Sequence, residues 1–258
     1  MSLSQWIVRA ASPFPSPEQY GRFLFIGPHP DDIEIGAGAT AAKLAAGGKA
    51  VSFLICTDGR FGFDNAPSGV SPEELAEIRK KEALHSARRL GVTDVRFAGL
   101  SDGAFYSQDE LFETILRAIG SFQPEIVFCP DPSVSSECHS DHLNVGNAAK
   151  RAACFAPNTE IMKQYGLPAA PVRAIAFYMT AKPTRYVDTS GFLSRQLDAI
   201  FNCHLSQFPA GSSAAKALAL YLKIRACDFG LRSLHKTAEG FRVLSQQQMH
   251  CLPEAGTS

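Results

Sequence analysis

A doubly wound α/β fold, with a mostly parallel sheet and helices on both faces, is predicted by three observations. Short apolar runs of strand type alternate with helical patterns along most of the chain. Several of these runs are apolar at nearly every position, as strands covered on both faces are. Acidic and histidine-rich segments follow two of the runs, the first directly and the second within a loop, at the strand ends where open parallel sheets bind ligands.

Strands are expected at 22–27 (RFLFIG), 50–56 (AVSFLIC), 94–98 (DVRFA), 125–129 (EIVFC) and 172–179 (VRAIAFYM). The small-residue segment 33–46 suits a helix packed closely on a sheet. Ser71-Pro72-Glu73-Glu74 reads as a capping box with proline at the first helical position, and Gly91 as the C-terminal stop. Ser107-Gln108-Asp109-Glu110 opens the next helix, with Gly120 as its expected end. Further helices are expected at 141–154, 191–205 and 212–231. The order is β-α-β-α-β-α-β-α-β followed by helices, a Rossmann-like layout. No repeat, low-complexity tract or linker interrupts it, so residues 1–258 read as one domain, with 1–20 as a surface arm. Residues 57–71 and 130–140 are longer loops, and 156–170 carry no motif.

Lys+Arg and Asp+Glu both total 25, so no whole-protein field draws in nucleic acid or an acidic membrane. A small molecule is the expected partner. The seven cysteines are odd in number and form no CxxC pair, which argues against a disulfide framework and a thiolate zinc site. No apolar run approaches a membrane span, and the first residues lack the apolar core of a signal peptide. The expected location is the cytoplasm.

Two clusters carry the chemistry. Pro28-His29-Pro30-Asp31-Asp32-Ile33-Glu34 follows the first strand, and Glu137-Cys138-His139-Ser140-Asp141-His142 follows the fourth. A lone carboxylate is expensive to bury, so these acids must be solvated, paired or metal-bound. Two such segments at strand ends of one sheet can converge on one point.

HPDD followed by IEIGAGAT, with the later HSDH, resembles the LmbE-like (PIG-L) N-acetylglucosamine deacetylases. Weaker similarities span most of the chain: Thr57-Asp58-Gly59, Arg79 with Glu82, Leu100-Ser-Asp102-Gly103, His204-Leu-Ser-Gln207 and Ala238-Glu-Gly-Phe-Arg242. The resemblance implies His29, Asp32 and His142 as metal ligands, with zinc as the expected ion and ferrous iron also suited to the donors. It implies Asp31 as general base and His139 as the residue that stabilises the oxyanion or protonates the leaving amine. Asp141 would orient His139. Arg79 and Asp102 would reach the sugar, with Arg60 a further substrate contact. A homo-oligomer is expected by resemblance alone.

Glu137 departs from relatives that carry tyrosine or another carbonyl-assisting residue there. Cys138 reads as a small buried filler, His204 as a packed imidazole, and the basic residues of 79–89 as a solvated face. Gly36-Ala-Gly38 lies inside a helix and lacks the third glycine of a dinucleotide motif. No GxSxG occurs. The expected activity is metal-dependent removal of an N-acetyl group from an N-acetylglucosamine-type sugar or glycoconjugate, releasing acetate. The rivals are an amidohydrolase of another acylated small molecule such as an antibiotic, a metallo-phosphoesterase, and a non-catalytic sugar-binding protein.

Overall fold

The computed structural model describes residues 3–250 and 252. A seven-stranded sheet forms its centre, in the order β3-β2-β1-β4-β5-β7-β6. The strands are β1 (Arg22–Gly27), β2 (Ala50–Thr57), β3 (Asp94–Leu100), β4 (Ile126–Pro130), β5 (Ala174–Tyr178), β6 (Arg185–Asp188) and β7 (Ala238–Ser245). The first five are parallel, and each predicted strand is present within a few residues of its expected bounds.

Side chains alternate between two cores because successive strand residues point to opposite faces. Phe23, Phe25, Phe53 and Phe128 pack towards α2 (Asp32–Ala46), α3 (Pro72–Leu90) and α7 (Leu193–Phe201). Leu24, Ile26, Leu54 and Val127 pack towards α4 (Gln108–Phe122) and α5 (Ser140–Phe155). Each such side chain, fully buried, contributes about 1.5–3 kcal/mol of transfer free energy.

Local signals act as the sequence suggests at most helix ends. Ser71 and Glu74 form the reciprocal capping box of α3, and Gly91 closes it at φ 86°. Ser107 caps α4, but that helix runs through Gly120 to Phe122 and stops at Gln123 in the left-handed region. Gly120 lies inside the helix, where a Cβ would make ordinary contacts with Leu167 and Met162 at 3.4 Å. Gly36 is a position where small size is required: a Cβ there would stand 2.2 Å from the Tyr178 ring. α2 kinks at Ala37, and the carboxylate of Glu239 caps its second half by accepting the N–H groups of Ala39 and Thr40.

Two strands depart from the expected run of C-terminal helices. β7 is antiparallel to both β5 and β6 and lies between them. Its pattern is obscured by buried Glu239 and Arg242, each of which has a dedicated partner. α8 (Ser213–Ser233) precedes it, and α9 (Gln246–His250) follows. The segment expected as an arm contains α1 (Leu3–Ala11) and a 3-10 turn at Pro17–Gln19, and 156–170 contains α6 (Thr159–Gln164). No helix among the described residues is long and apolar enough to cross a membrane. The chain leaves β1 for β2 and β3 on one side, and β4 and β5 lie on the other. The crevice between the β1 and β4 carboxyl ends is therefore the topological switch point.

Candidate metal centre and active site

The turn after β1 is tied to itself. The N–H groups of Asp31 and Asp32 both reach the carbonyl of His29, and Asp32 Oδ2 accepts the His29 N–H at 2.9 Å. Asp31 stands as the N-cap of α2 and Asp32 is its first residue, so both acids sit at a helix N-terminus that favours negative charge. His29, Asp31 and Asp32 are all buried.

The second cluster starts α5. His139 is its N-cap and accepts the Asp141 N–H on Nδ1 at 3.3 Å, which leaves the ring proton on Nε2. His142, one turn in, comes back over the β1 turn. The rings of His29 and His142 lie 5.4 Å apart, and that of His139 lies 4.7 Å from His29 and 5.1 Å from His142.

The donors fit one divalent cation. His29 Nδ1 is 3.0 Å from Asp32 Oδ2, and His142 Nε2 is 3.4 Å from Asp32 Oδ1. Ligand atoms of the three residues lie within 4.8 Å of one another. Two donors bound at about 2.1 Å around a tetrahedral ion stand roughly 3.4 Å apart. Burial works against the Asp32 charge, but His142 and His29 outweigh it and hold the carboxyl well below the usual range. The back of the His29 ring is also prepared: Nε2 meets Asp102 Oδ1 at 3.1 Å and Asp141 Oδ2 at 3.2 Å. A carboxylate behind a histidine fixes the tautomer that offers the opposite nitrogen. For His29 burial favours the neutral ring, whereas Asp102, Asp141 and Asp32 raise its pKa well above the ordinary value.

The family model described as GlcNAc-PI de-N-acetylase, PIG-L, matches residues 24–153, which contain both clusters. The chain belongs to the PIG-L family. It is 35% identical over 239 residues to the diacetylchitobiose deacetylase of Thermococcus kodakarensis, covering 91% of this chain and 87% of that protein. It is 32% identical over 170 residues to the 1D-myo-inositol 2-acetamido-2-deoxy-alpha-D-glucopyranoside deacetylase of Streptomyces scabiei, spanning about half of that protein (52%) and 57% of this chain. Among solved structures, the N,N'-diacetylchitobiose deacetylase from Pyrococcus horikoshii, complexed with its inhibitor MPG, superposes with a TM-score of 0.86 at 30% identity, covering 98% of this chain and 97% of that one.

Within this PIG-L chain, several expected partners are exchanged. The sequence sets Asp141 behind His139. The structure sets its carboxylate behind His29, with Gly103 N–H, Ala104 N–H and the Tyr106 hydroxyl as its other donors at 2.9, 2.9 and 2.6 Å. Only 3.8 Å separates Asp141 Oδ2 from His139 Nδ1, but it is the Asp141 backbone that bonds that ring. Burial disfavours the Asp141 charge, and His29, Tyr106 and Gly103 together hold its carboxyl below the ordinary range.

The sequence sends Arg79 and Asp102 to the sugar, and the structure gives both other partners. Arg79 is buried on α3; it donates to the Gly59 carbonyl at 2.9 Å and pairs with Asp31 Oδ2 at 3.2 Å. It is thus no part of a solvated face, unlike its exposed neighbours Lys80 and Lys81. Asp102 bonds His29 and accepts the Phe61 N–H at 3.1 Å. Arg60 clasps Asp58, with Nε 2.8 Å from Oδ2, and faces a cleft of about 340 Å³ beside Pro30 and Phe97. Cys138 is exposed rather than buried.

Sequence reasoning missed the layer beneath Asp31. His204, fully buried, lies 3.5 Å from Glu34, and Glu82 accepts from both the N–H and hydroxyl of Ser206. Burial favours neutral His204, but Glu34 raises its pKa. Glu82 and Ser206 tie the Arg79–Glu82 and His204–Gln207 motifs into one polar array; the spacing of Arg79 and Glu82 on α3 was the available signal, whereas His204–Gln207 lies in the turns after α7. Tyr106, three residues beyond Gly103, left no signal of its role.

Proposed function

We propose that this protein hydrolyses the N-acetyl group of an N-acetylglucosamine-type amino sugar, either free or within a short glycoside such as diacetylchitobiose, and releases acetate. One observation carries this: His29, Asp32 and His142 surround a single point, with Asp31 on the same turn and His139 beside them. His29 through Nδ1, His142 through Nε2 and Asp32 through its carboxylate would hold the ion, zinc by the donor set, with ferrous iron the other suitable choice. A divalent cation bound there supplies a Lewis acid and lowers the pKa of water.

Asp31 accepts the proton of the attacking water. It is adjacent in sequence to Asp32 yet engaged by Arg79, which turns its carboxylate and keeps it off the ligand set. The N–H at His139 Nε2 donates to the carbonyl oxygen as negative charge develops. The carbon–nitrogen bond then breaks, and the proton taken by Asp31 passes to the departing amine. Arg60, at the adjoining cleft, is a contact for the rest of the substrate. The free thiols of Cys56, Cys129, Cys138, Cys203 and Cys227 suit a reducing compartment.

The test is acetate release from N-acetylglucosamine and N,N'-diacetylchitobiose, with and without a chelator, for the wild type and Asp31→Ala. Release that chelation and Asp31→Ala both abolish supports the reading. Release of phosphate or of a longer acid from other substrates, with none of acetate, replaces it. Retained metal with no turnover of any substrate leaves a binding protein.

A further inference from the structure

His142 can offer Nε2 to a cation only if Nδ1 carries the ring proton. That nitrogen is buried and has no aligned hydrogen-bond partner among the described residues. Glu137 Oε2 stands 3.1 Å from it, off the N–H axis. The other oxygen, Oε1, accepts the His139 N–H at 2.8 Å. The Glu137 N–H closes a turn onto the Val134 carbonyl at 3.1 Å, so the carboxylate is delivered by a folded loop. One side chain therefore reaches both histidines of the HSDH segment.

We propose that Glu137 is a positioning residue for the metal centre: it fixes the His142 ring with Nε2 towards the ion and holds the start of α5, where His139 projects. This rests on the metal site of the proposed function and not on its substrate. The physical basis is general. A ring N–H that faces a carboxylate keeps its tautomer, loses rotational freedom and makes the opposite nitrogen a better donor. His29 already has this arrangement through Asp102 and Asp141. Without Glu137, His142 would be the ligand with no acceptor behind it. A carboxylate here cannot stabilise an oxyanion. That duty therefore falls to His139, whose backbone Glu137 anchors.

The experiment measures zinc affinity of the apo-protein by competition with a chromophoric chelator, with no substrate present. Glu137→Ala is expected to weaken zinc by about 10–100-fold, and Glu137→Gln, which keeps the shape but not the charge, to weaken it less. Glu113→Ala, which removes an exposed carboxylate paired with Arg117 on α4, is the control and is expected to leave affinity unchanged. In the zinc-loaded wild type, the His142 Nδ1 proton should give a downfield, slowly exchanging NMR signal that is absent from Glu137→Ala. A merely structural role would not remove that signal selectively. Zinc affinity within threefold of wild type in both folded variants, or persistence of the signal, overturns the proposal. Should Glu137→Ala not fold, Glu137→Gln carries the test. Wild type that binds zinc but releases no acetate defeats the substrate reading and leaves this one standing. Wild type that binds no divalent ion defeats the metal site itself.

Discussion

Arg79 and Asp31 are joined across two elements: the guanidinium, rooted in α3, stands 3.2 Å from the carboxylate at the head of α2. The same guanidinium grips the Gly59 carbonyl, where a Cβ would lie 2.4 Å from its Nη1. Asp31 is thereby held by α3 while its neighbour Asp32 meets His29 and His142. Replacing Asp31 with asparagine keeps the shape and removes the proposed proton acceptor. Turnover is expected to fall by about 10²–10⁴-fold with metal content unchanged, as read by acetate release and elemental analysis of the same sample. Loss of the metal in Asp31→Asn would show that Asp31 is a ligand.

Arg242 and Asp131 form a buried pair beneath the loop that carries Glu137. Nε donates to Oδ2 at 2.9 Å, and the guanidinium lies 4.1 Å from the Phe177 ring centre. Burial raises the Asp131 pKa, but Arg242, with Thr180 and Ser133, outweighs it and lowers the value. Arg242→Met strands that charge. Chemical denaturation is expected to show a loss of about 3–5 kcal/mol. The double variant Arg242→Met with Asp131→Leu should recover much of it, because a stranded charge costs more than an absent pair.

Glu239 makes stability depend on pH. Burial pushes its carboxyl up to about 7 from an ordinary 4.5, despite the opposing bonds from Thr40 and Ala39. Below pH 4.5 both folded and unfolded chains hold this proton. Between there and about 7 only the folded chain does, so this contribution is lost as pH rises through the window. The slope is at most about 1.4 kcal/mol per pH unit. Glu239→Gln should lessen the drop in melting temperature between pH 5 and pH 8. Equal drops in both proteins would refute the assignment.

Gly36→Ala probes the contact of α2 with the sheet. The added methyl would meet the Tyr178 ring, whose hydroxyl is fixed by a 2.8 Å bond to the Ile26 carbonyl. Neither side yields easily, and the expected cost is about 1–3 kcal/mol or more. An unchanged melting temperature would mean that the helix shifts freely.

How far the sequence was legible follows from the range of each signal. The parallel strands β1 to β5 were visible because burial on both faces writes an unbroken apolar run. β7 was not, since Glu239 and Arg242 interrupt its run and their partners lie about 200 and 111 residues away. His29 and Asp32 are neighbours in one turn, so their proximity could be read directly. Asp141 could be placed near its own neighbour His139 but not near His29, because only the tertiary fold brings Gly103, Tyr106 and His29 to one carboxylate. Spacing put Arg79 on a helix; it could not say that the helix turns that residue inward. Glu137 was visible as a departure, and its meaning required the distance to His142.

The position of β7 bears on synthesis at the ribosome. β6 finds its place in the sheet only through a strand made some fifty residues later, between β5 and β6. Asp131 likewise waits for Arg242 before the loop above it is anchored. A nascent chain halted before residue 238 would carry both histidine segments yet lack the wedge that seats β6 and the cation that secures the β4 loop. Emergence of β7, rather than of the histidine segments, is the event that completes the sheet.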